Sequence, residues 1–369
     1  MKKLFIIFAV LCLAAPAMAA DWNFYGHARF KTFWTDLDSD SDEVSDDQGT
    51  IWDQQGNSRI GAYVKFNDQI GGRFEYGTGV NLRHLYGTYT FGNGSQLLIG
   101  KSYTPFAFFY SNSVFDDDGD MLGVGEYYEA RQPMIQWKMG GFKLALVKPN
   151  VKDYDKEGRV MTSFYDVDGN EHDIETQAAK AYDTDVTLPK IEAGYSFKTD
   201  MFFADLVLGY QTYKLDGEDG YEDYNVDSYI IAGGVGADIG AFFVKVGGHY
   251  GQNLGNFGAY NPTFGDQLPE LEDSMQITNG QDADSDCWGA LAVVGFNLSE
   301  MLTFEAGYGY ERAEVDNKTE KDQVYVNATI NIAPGFFIVP EVGMISFEED
   351  NRDAEPEMFY AGAKWQINF

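Results

Sequence analysis

Between Tyr25 and Trp34 the chain alternates. Gly26, Ala28, Phe30, Thr32 and Trp34 fall on one face, and Tyr25, His27, Arg29, Lys31 and Phe33 fall on the other. A period of two predicts a β-strand with unlike faces, because successive side chains point to opposite sides of a strand. The design repeats with Ile60, Ala62, Val64 and Phe66 against Arg59, Tyr63, Lys65 and Asn67. A third segment sets Phe74, Tyr76, Thr78, Val80 and Leu82 against Arg73, Glu75, Asn81 and Arg83. Charges keep to one face. Comparable segments follow at Leu85–Phe91, Leu97–Tyr103, Met134–Met139, Phe142–Lys148, Lys190–Lys198, Phe202–Lys214, Tyr229–Ile239, Phe242–Gly251, Cys287–Asn297, Leu302–Glu311, Gln323–Ile332 and Phe336–Ile345. With the tail this predicts sixteen strands. Pro133 and Pro340 lie in or beside two of them, where a missing N–H breaks the ladder and a late start or a bulge is expected.

The connections have a rhythm of their own. Tight turns at 67–71, 92–95, 140–141, 198–201, 239–241, 298–300 and 333–335 alternate with long polar segments at 36–54, 105–127, 149–186, 215–225, 252–286, 313–321 and 347–356. One further loop is expected near Arg83 and His84. A sandwich has no reason to keep that asymmetry, whereas a transmembrane β-barrel puts short turns on the periplasmic side and long loops outside. Such a barrel must close, since an unpaired edge facing lipid leaves backbone groups without partners. The last strand therefore has to pair with the first. It reads Phe359, Ala361, Ala363, Trp365, Ile367 and Phe369 on an oily face, and Tyr360, Gly362, Lys364, Gln366 and Asn368 on a wet one.

The other end of the chain fits export. Lys2 and Lys3 precede an apolar run from Leu4 to Leu13, too short to span a bilayer as a helix, and Ala17-Met18-Ala19 follows. A signal peptide over 1–19, cut after Ala19, is expected, leaving 20–369 as one barrel domain. Cys12 falls in that signal, and Cys287 is then alone, so no intramolecular disulfide can form.

Mean hydropathy is negative, which would point to a soluble protein were the strands not half wet. The 58 acidic residues against 26 basic ones give a formal charge of −32. That excludes nucleic acid as a partner and suits cations, or divalent ions bridging to an anionic lipid surface. Four histidines, His27, His84, His172 and His249, offer no Ser-His pair on the lipid face, and no glycine-rich phosphate loop or paired metal-binding histidines occur. The chain therefore reads as a non-enzyme without a required cofactor. Asp166-Val167-Asp168-Gly169 has a spacing that could ligate loop-bound calcium through Asp166 and Asp168, but the rest of a twelve-residue calcium loop is missing. A solvated acidic loop is the simpler reading.

The sixteen alternating segments, the short-turn and long-loop rhythm and the terminal Tyr360, Trp365, Ile367 and Phe369 resemble the trimeric general porins of Gram-negative outer membranes. The resemblance implies a homotrimer in outer-membrane lipid and lipopolysaccharide, with those four residues read by the barrel-insertion machinery. Gly100-Lys101-Ser102-Tyr103-Thr104-Pro105-Phe106 is similar to the run that in porins precedes a third loop folded into the lumen. By that likeness Asp116, Asp117, Asp118, Asp120, Glu126 and Glu129 supply an acidic constriction, facing a basic wall of Arg29, Lys31, Arg59, Lys65, Arg73 and Arg83. Passive diffusion of small hydrophilic solutes, with a preference for cations, is the expected function. A substrate-specific channel and a non-conducting surface barrel are the alternatives. Glycines at inward positions, among them Gly77, Gly79, Gly194, Gly209, Gly247, Gly251, Gly307, Gly309 and Gly362, are expected to leave the lumen open.

Overall fold

A computed structural model describes residues 20–38, 47–154, 163–165, 171–173, 182–217, 222–264, 267–278, 281–350 and 355–369. The predicted signal peptide, and Asp166 and Asp168 of the calcium reading, lie outside these described residues.

The wall is a closed antiparallel barrel of sixteen strands. They are β1 (Asp21–Asp38), β2 (Asp47–Gln54 and Arg59–Lys65), β3 (Ile70–Gly77), β4 (Leu82–Thr90), β5 (Gln96–Tyr103), β6 (Arg131–Met139), β7 (Phe142–Val147), β8 (Tyr182–Asp185 and Lys190–Lys198), β9 (Phe202–Gly217), β10 (Tyr224–Ile239), β11 (Phe242–Gln252), β12 (Asp286–Ser299), β13 (Leu302–Glu314), β14 (Lys318–Ala333), β15 (Phe336–Glu349) and β16 (Glu357–Asn368). Because β2 and β8 are each interrupted, the wall sheet contains eighteen segments. Each strand pairs with its neighbours in sequence, and the ring shuts where β16 runs along β1 from His27↔Asn368 to Asp38↔Glu357. Two hydrogen bonds extend that seam to the last residue: Gly26 N to Phe369 O at 2.7 Å, and Phe369 N to Gly26 O at 3.0 Å. A Cβ on Gly26 would collide with the Phe369 ring, so the glycine makes room for the terminal aromatic.

The outward face behaves as the alternation predicts. Trp22, Phe30, Trp34, Phe359, Trp365, Ile367 and Phe369 are all exposed on the exterior, as suits side chains that meet lipid and its interface. Tyr360 is instead fully buried inside. Pro340 lies within β15, where pairing to β14 lapses between Asn327↔Glu341 and Ile330↔Ile338 and resumes in the same register. The proline leaves a gap without a slip. The loop expected near Arg83 falls earlier, at 78–81, and Val80 there adopts a left-handed φ of 55°.

Gly209 and Gly247, two of the inward glycines, are occupied by loops, whereas Gly79 faces open space. At Gly209 a Cβ would strike the rings of Phe257 and Phe106, and at Gly247 the ring of Tyr110. Phe106 and Tyr110 belong to the connection after β5, and Phe257 to the connection after β11, so these parts of both connections fold into the barrel and lie on glycine seats. At Gly209 and Gly247 the expectation of an open lumen fails, because a missing side chain admits a neighbouring loop as readily as water.

The neck of the lumen as candidate functional site

The connection between β5 and β6, residues 104–130, follows the inner wall and is fastened strand by strand. Lys245 of β11 donates to Tyr110 O at 2.6 Å. Glu305 of β13 accepts from Asn112 N at 2.6 Å, and Asn327 of β14 donates to Asn112 O at 2.7 Å. Glu341 of β15 accepts from Val114 N at 2.8 Å, Phe115 N at 3.1 Å and the Ser113 hydroxyl at 3.0 Å. The Phe115 ring then stacks on Tyr360 of β16 at 4.0 Å between centroids. Buried backbone groups need partners, and here wall side chains supply them in place of water.

Beyond Phe115 the loop turns through an unusual conformation. Asp116, Asp117 and Asp118 have φ of 49°, 63° and 60°, and Asp120 and Met121 have φ of 52° and 59°. Aspartate tolerates the left-handed region better than most residues, so a run of acids suits this turn sterically as well as electrostatically. The turn presses its carboxylates onto the basic wall. Asp118 pairs with Arg29, and with Lys364 at 2.9 Å, while Asp117 pairs with Lys31 at 2.8 Å.

The wall is shaped to receive the turn. β2 breaks at 55–58, and there Gly56 N donates to Asp117 Oδ2 at 2.7 Å, Asn57 Nδ2 to Asp117 O at 2.6 Å, and Gln55 Nε2 to Val114 O at 3.2 Å. The interruption frees the backbone N–H of Gly56 from the ladder, and the side-chain amides of Gln55 and Asn57 add two further donors.

Between turn and wall lies a cavity of about 470 Å³. Asp116, Asp117, Asp118 and Asp120 line one side; Arg29, Arg59, Arg83, Arg131 and Lys364 line the other, with Tyr103, Phe109, Tyr128 and Tyr260 among them. Burial pushes the Asp116 carboxyl up, with Lys31 opposing the shift. Asp120 is raised well above its ordinary value by burial and by the charge of Asp118. At Asp118 burial acts upward too, but Lys364 and Arg29 outweigh it and hold the carboxyl below the usual range.

Four predicted site residues lie elsewhere. Lys65 sits by the turn between β2 and β3, is 60% exposed and pairs with Asp68 at 2.8 Å. Glu126 is buried within the loop and accepts from Tyr110 N at 3.1 Å. Glu129 is buried against Lys190 of β8. Arg73 meets Glu75 at 2.6 Å, behind the cavity lining. Conversely, Arg131 and Lys364 line the cavity though the sequence reading left them out of the basic wall. Lys364 was legible on the wet face of the tail. Arg131 has only its position at the loop's exit to mark it.

No protein-family model matches the chain. No curated protein matches it in sequence. Solved structures share its architecture. The outer membrane channel DcaP of Acinetobacter baumannii superposes with a TM-score of 0.68 at 14% identity, covering 96% of this chain and 98% of that one. OmpF of Salmonella typhi, in complex with daunomycin, gives 0.53 at 10% identity over 95% and 98% of the two chains. An anion-selective porin from Comamonas acidovorans gives 0.52 at 11% identity over 94% and 100%. At these identities the likeness is one of fold: this barrel has the architecture of outer-membrane porins.

Proposed function

We propose that the protein is an outer-membrane porin, a water-filled channel through which small hydrophilic solutes and ions diffuse passively, with a weak preference for cations. The observation that carries this reading is the neck, where an inward loop sets carboxylates against guanidinium groups across a cavity of about 470 Å³. Opposed charges at a narrow point create a transverse field that orients dipolar solutes. At an effective dielectric of about 20, a unit charge about 10 Å away is worth about 1.7 kcal/mol, roughly three times thermal energy. The field matters at that scale without binding the solute tightly.

The cation preference rests on the whole chain's charge of −32 rather than on the neck, where Asp117 and Asp118 are matched by Lys31, Arg29 and Lys364. Homotrimer assembly, contact with lipopolysaccharide and delivery by the barrel-insertion machinery through Tyr360, Trp365, Ile367 and Phe369 belong to the same proposal. They are supported by the resemblance of the tail and the strand rhythm. No catalytic step and no cofactor enter it.

A second reading is favoured by one observation. Among the described residues Arg131 reaches the Tyr103 hydroxyl and the Tyr128 hydroxyl at 3.3 Å rather than a carboxylate, so its charge is available to a solute anion in the neck. Current recorded across a planar bilayer separates the two. Ohmic current that small anions leave unblocked supports a diffusion channel, and saturable block by one of them supports a substrate-specific one.

A further inference from the structure

β3 carries one inward carboxylate, and the wall arginines gather on it. Glu75 is fully buried. Its Oε2 accepts from the Tyr25 hydroxyl at 2.7 Å and from Arg73 Nη2 at 2.6 Å. Its Oε1 accepts from Arg83 Nε at 2.8 Å and lies 3.8 Å from Arg59 Nη1. Arg73 is the fixed member of this fan, held over the rings of Tyr25 and Tyr63 at 5.4 and 4.8 Å from their centroids. Arg59 and Arg83 reach past it to line the neck. Three guanidinium groups beside one carboxylate leave an excess of two positive charges, which repel one another unless the anion holds them.

The backbone is bent to build this cluster. Glu75 pairs with His84 and Tyr76 with Leu82, so the register slips and Arg83 is the extra residue of a β-bulge. Strict alternation would send Arg83 and His84 to opposite faces. The bulge turns both inward, as bulges beside functional sites do when they re-aim a side chain. His84 is accordingly buried, and Arg83 lines the cavity. The turn before it holds Val80, a β-branched residue, in the left-handed region, a strain the surrounding structure must sustain.

We infer that Glu75 is a positioning residue. It does not touch the passing solute; it fixes the direction of Arg59 and Arg83, and through them the field in the neck. The inference rests on the channel reading above.

The test is a double-substitution cycle read as reversal potential in a potassium chloride gradient, using the full-length folded barrel. Glu75→Gln alone and Arg83→Gln alone both move the potential toward potassium, because each takes guanidinium charge out of the neck. The decisive quantity is the Arg83→Gln shift measured again in the Glu75→Gln background. It shrinks there if Glu75 holds the guanidinium in the neck, because an unheld side chain no longer contributes its charge at that point. Additive shifts, or a Glu75→Gln channel identical to the parent, overturn the inference. Should Glu75→Gln fail to insert, Tyr25→Phe keeps the charge and removes one donor to the carboxylate. The same coupling with Arg83→Gln is then expected, and additivity overturns the inference equally. A parent barrel that inserts and passes no current overturns this inference together with the channel reading, and does so before any substitution is made.

Discussion

Asp118 is where the acidic turn and the basic wall meet. Its carboxyl lies between Arg29 and Lys364, both mostly buried, and titrates below the ordinary range. For a depressed carboxyl, the ion pairs contribute fully above the unfolded value of about 3.9 and are lost as pH falls through the lower folded value. The contribution of this group to reversal potential and thermal stability is therefore expected to be flat from neutral pH down to about 5 and to decline only in stronger acid. Asp118→Asn should reproduce the acid state at neutral pH. It shifts the reversal potential toward chloride and lowers stability by on the order of 3 kcal/mol in a thermal melt, because two buried cations lose their partner. Glu126 has the opposite sign. Burial pushes it up to about 8, against the Tyr110 N–H and Lys245, so the folded state favours its protonated form. That contribution is complete below the unfolded value of about 4.3 and shrinks as pH rises toward the folded one. Glu126→Gln should remove this dependence, so the melting temperature of the variant gains on the parent between about pH 5 and 8. A gap that stays constant over that interval would contradict the assignment.

Among the elements, the inward loop depends on what the wall omits as much as on what it offers. Tyr110 lies on Gly247, and its carbonyl accepts from Lys245 two residues earlier on the same strand. Gly247→Val should push the loop off its seat. A cost of about 1–3 kcal/mol is expected from overpacking, together with a changed unitary conductance. Unchanged conductance would mean that the loop does not set the neck. The strands themselves were legible from Tyr25 to Phe369 because a period of two survives any choice of partner. The route of the loop was not, since it depends on contacts to residues as distant as Glu305 and Glu341. Glu126 and Glu129 looked like members of the acidic cluster because sequence proximity hides that one accepts from Tyr110 N and the other pairs with Lys190. The loop expected near Arg83 and His84 is displaced for a related reason: a bulge breaks the alternation from which inward and outward are inferred.

For the whole molecule, closure links the first observation to the last residue. Phe369 adds two backbone hydrogen bonds to Gly26 at the end of a seam that is otherwise paired from His27↔Asn368 to Asp38↔Glu357. Removing Phe369 should slow closure without abolishing it, read as the rate at which heat-modifiable, folded protein accumulates on a gel. A rate equal to the parent's would contradict a role for the terminal aromatic in assembly. Net charge also acts at this scale. A preference for cations that comes from a chain charge of −32 should fade between about 0.1 M and 1 M salt, as the screening length falls from about 10 to about 3 Å. Persistence at high salt would place selectivity at the neck instead. The central claim, that the barrel is an open aqueous channel, is tested most directly by current through the purified folded protein in a planar bilayer under a potassium chloride gradient. The account predicts ohmic steps with a weakly cation-selective reversal potential. A barrel that inserts and remains silent would contradict it.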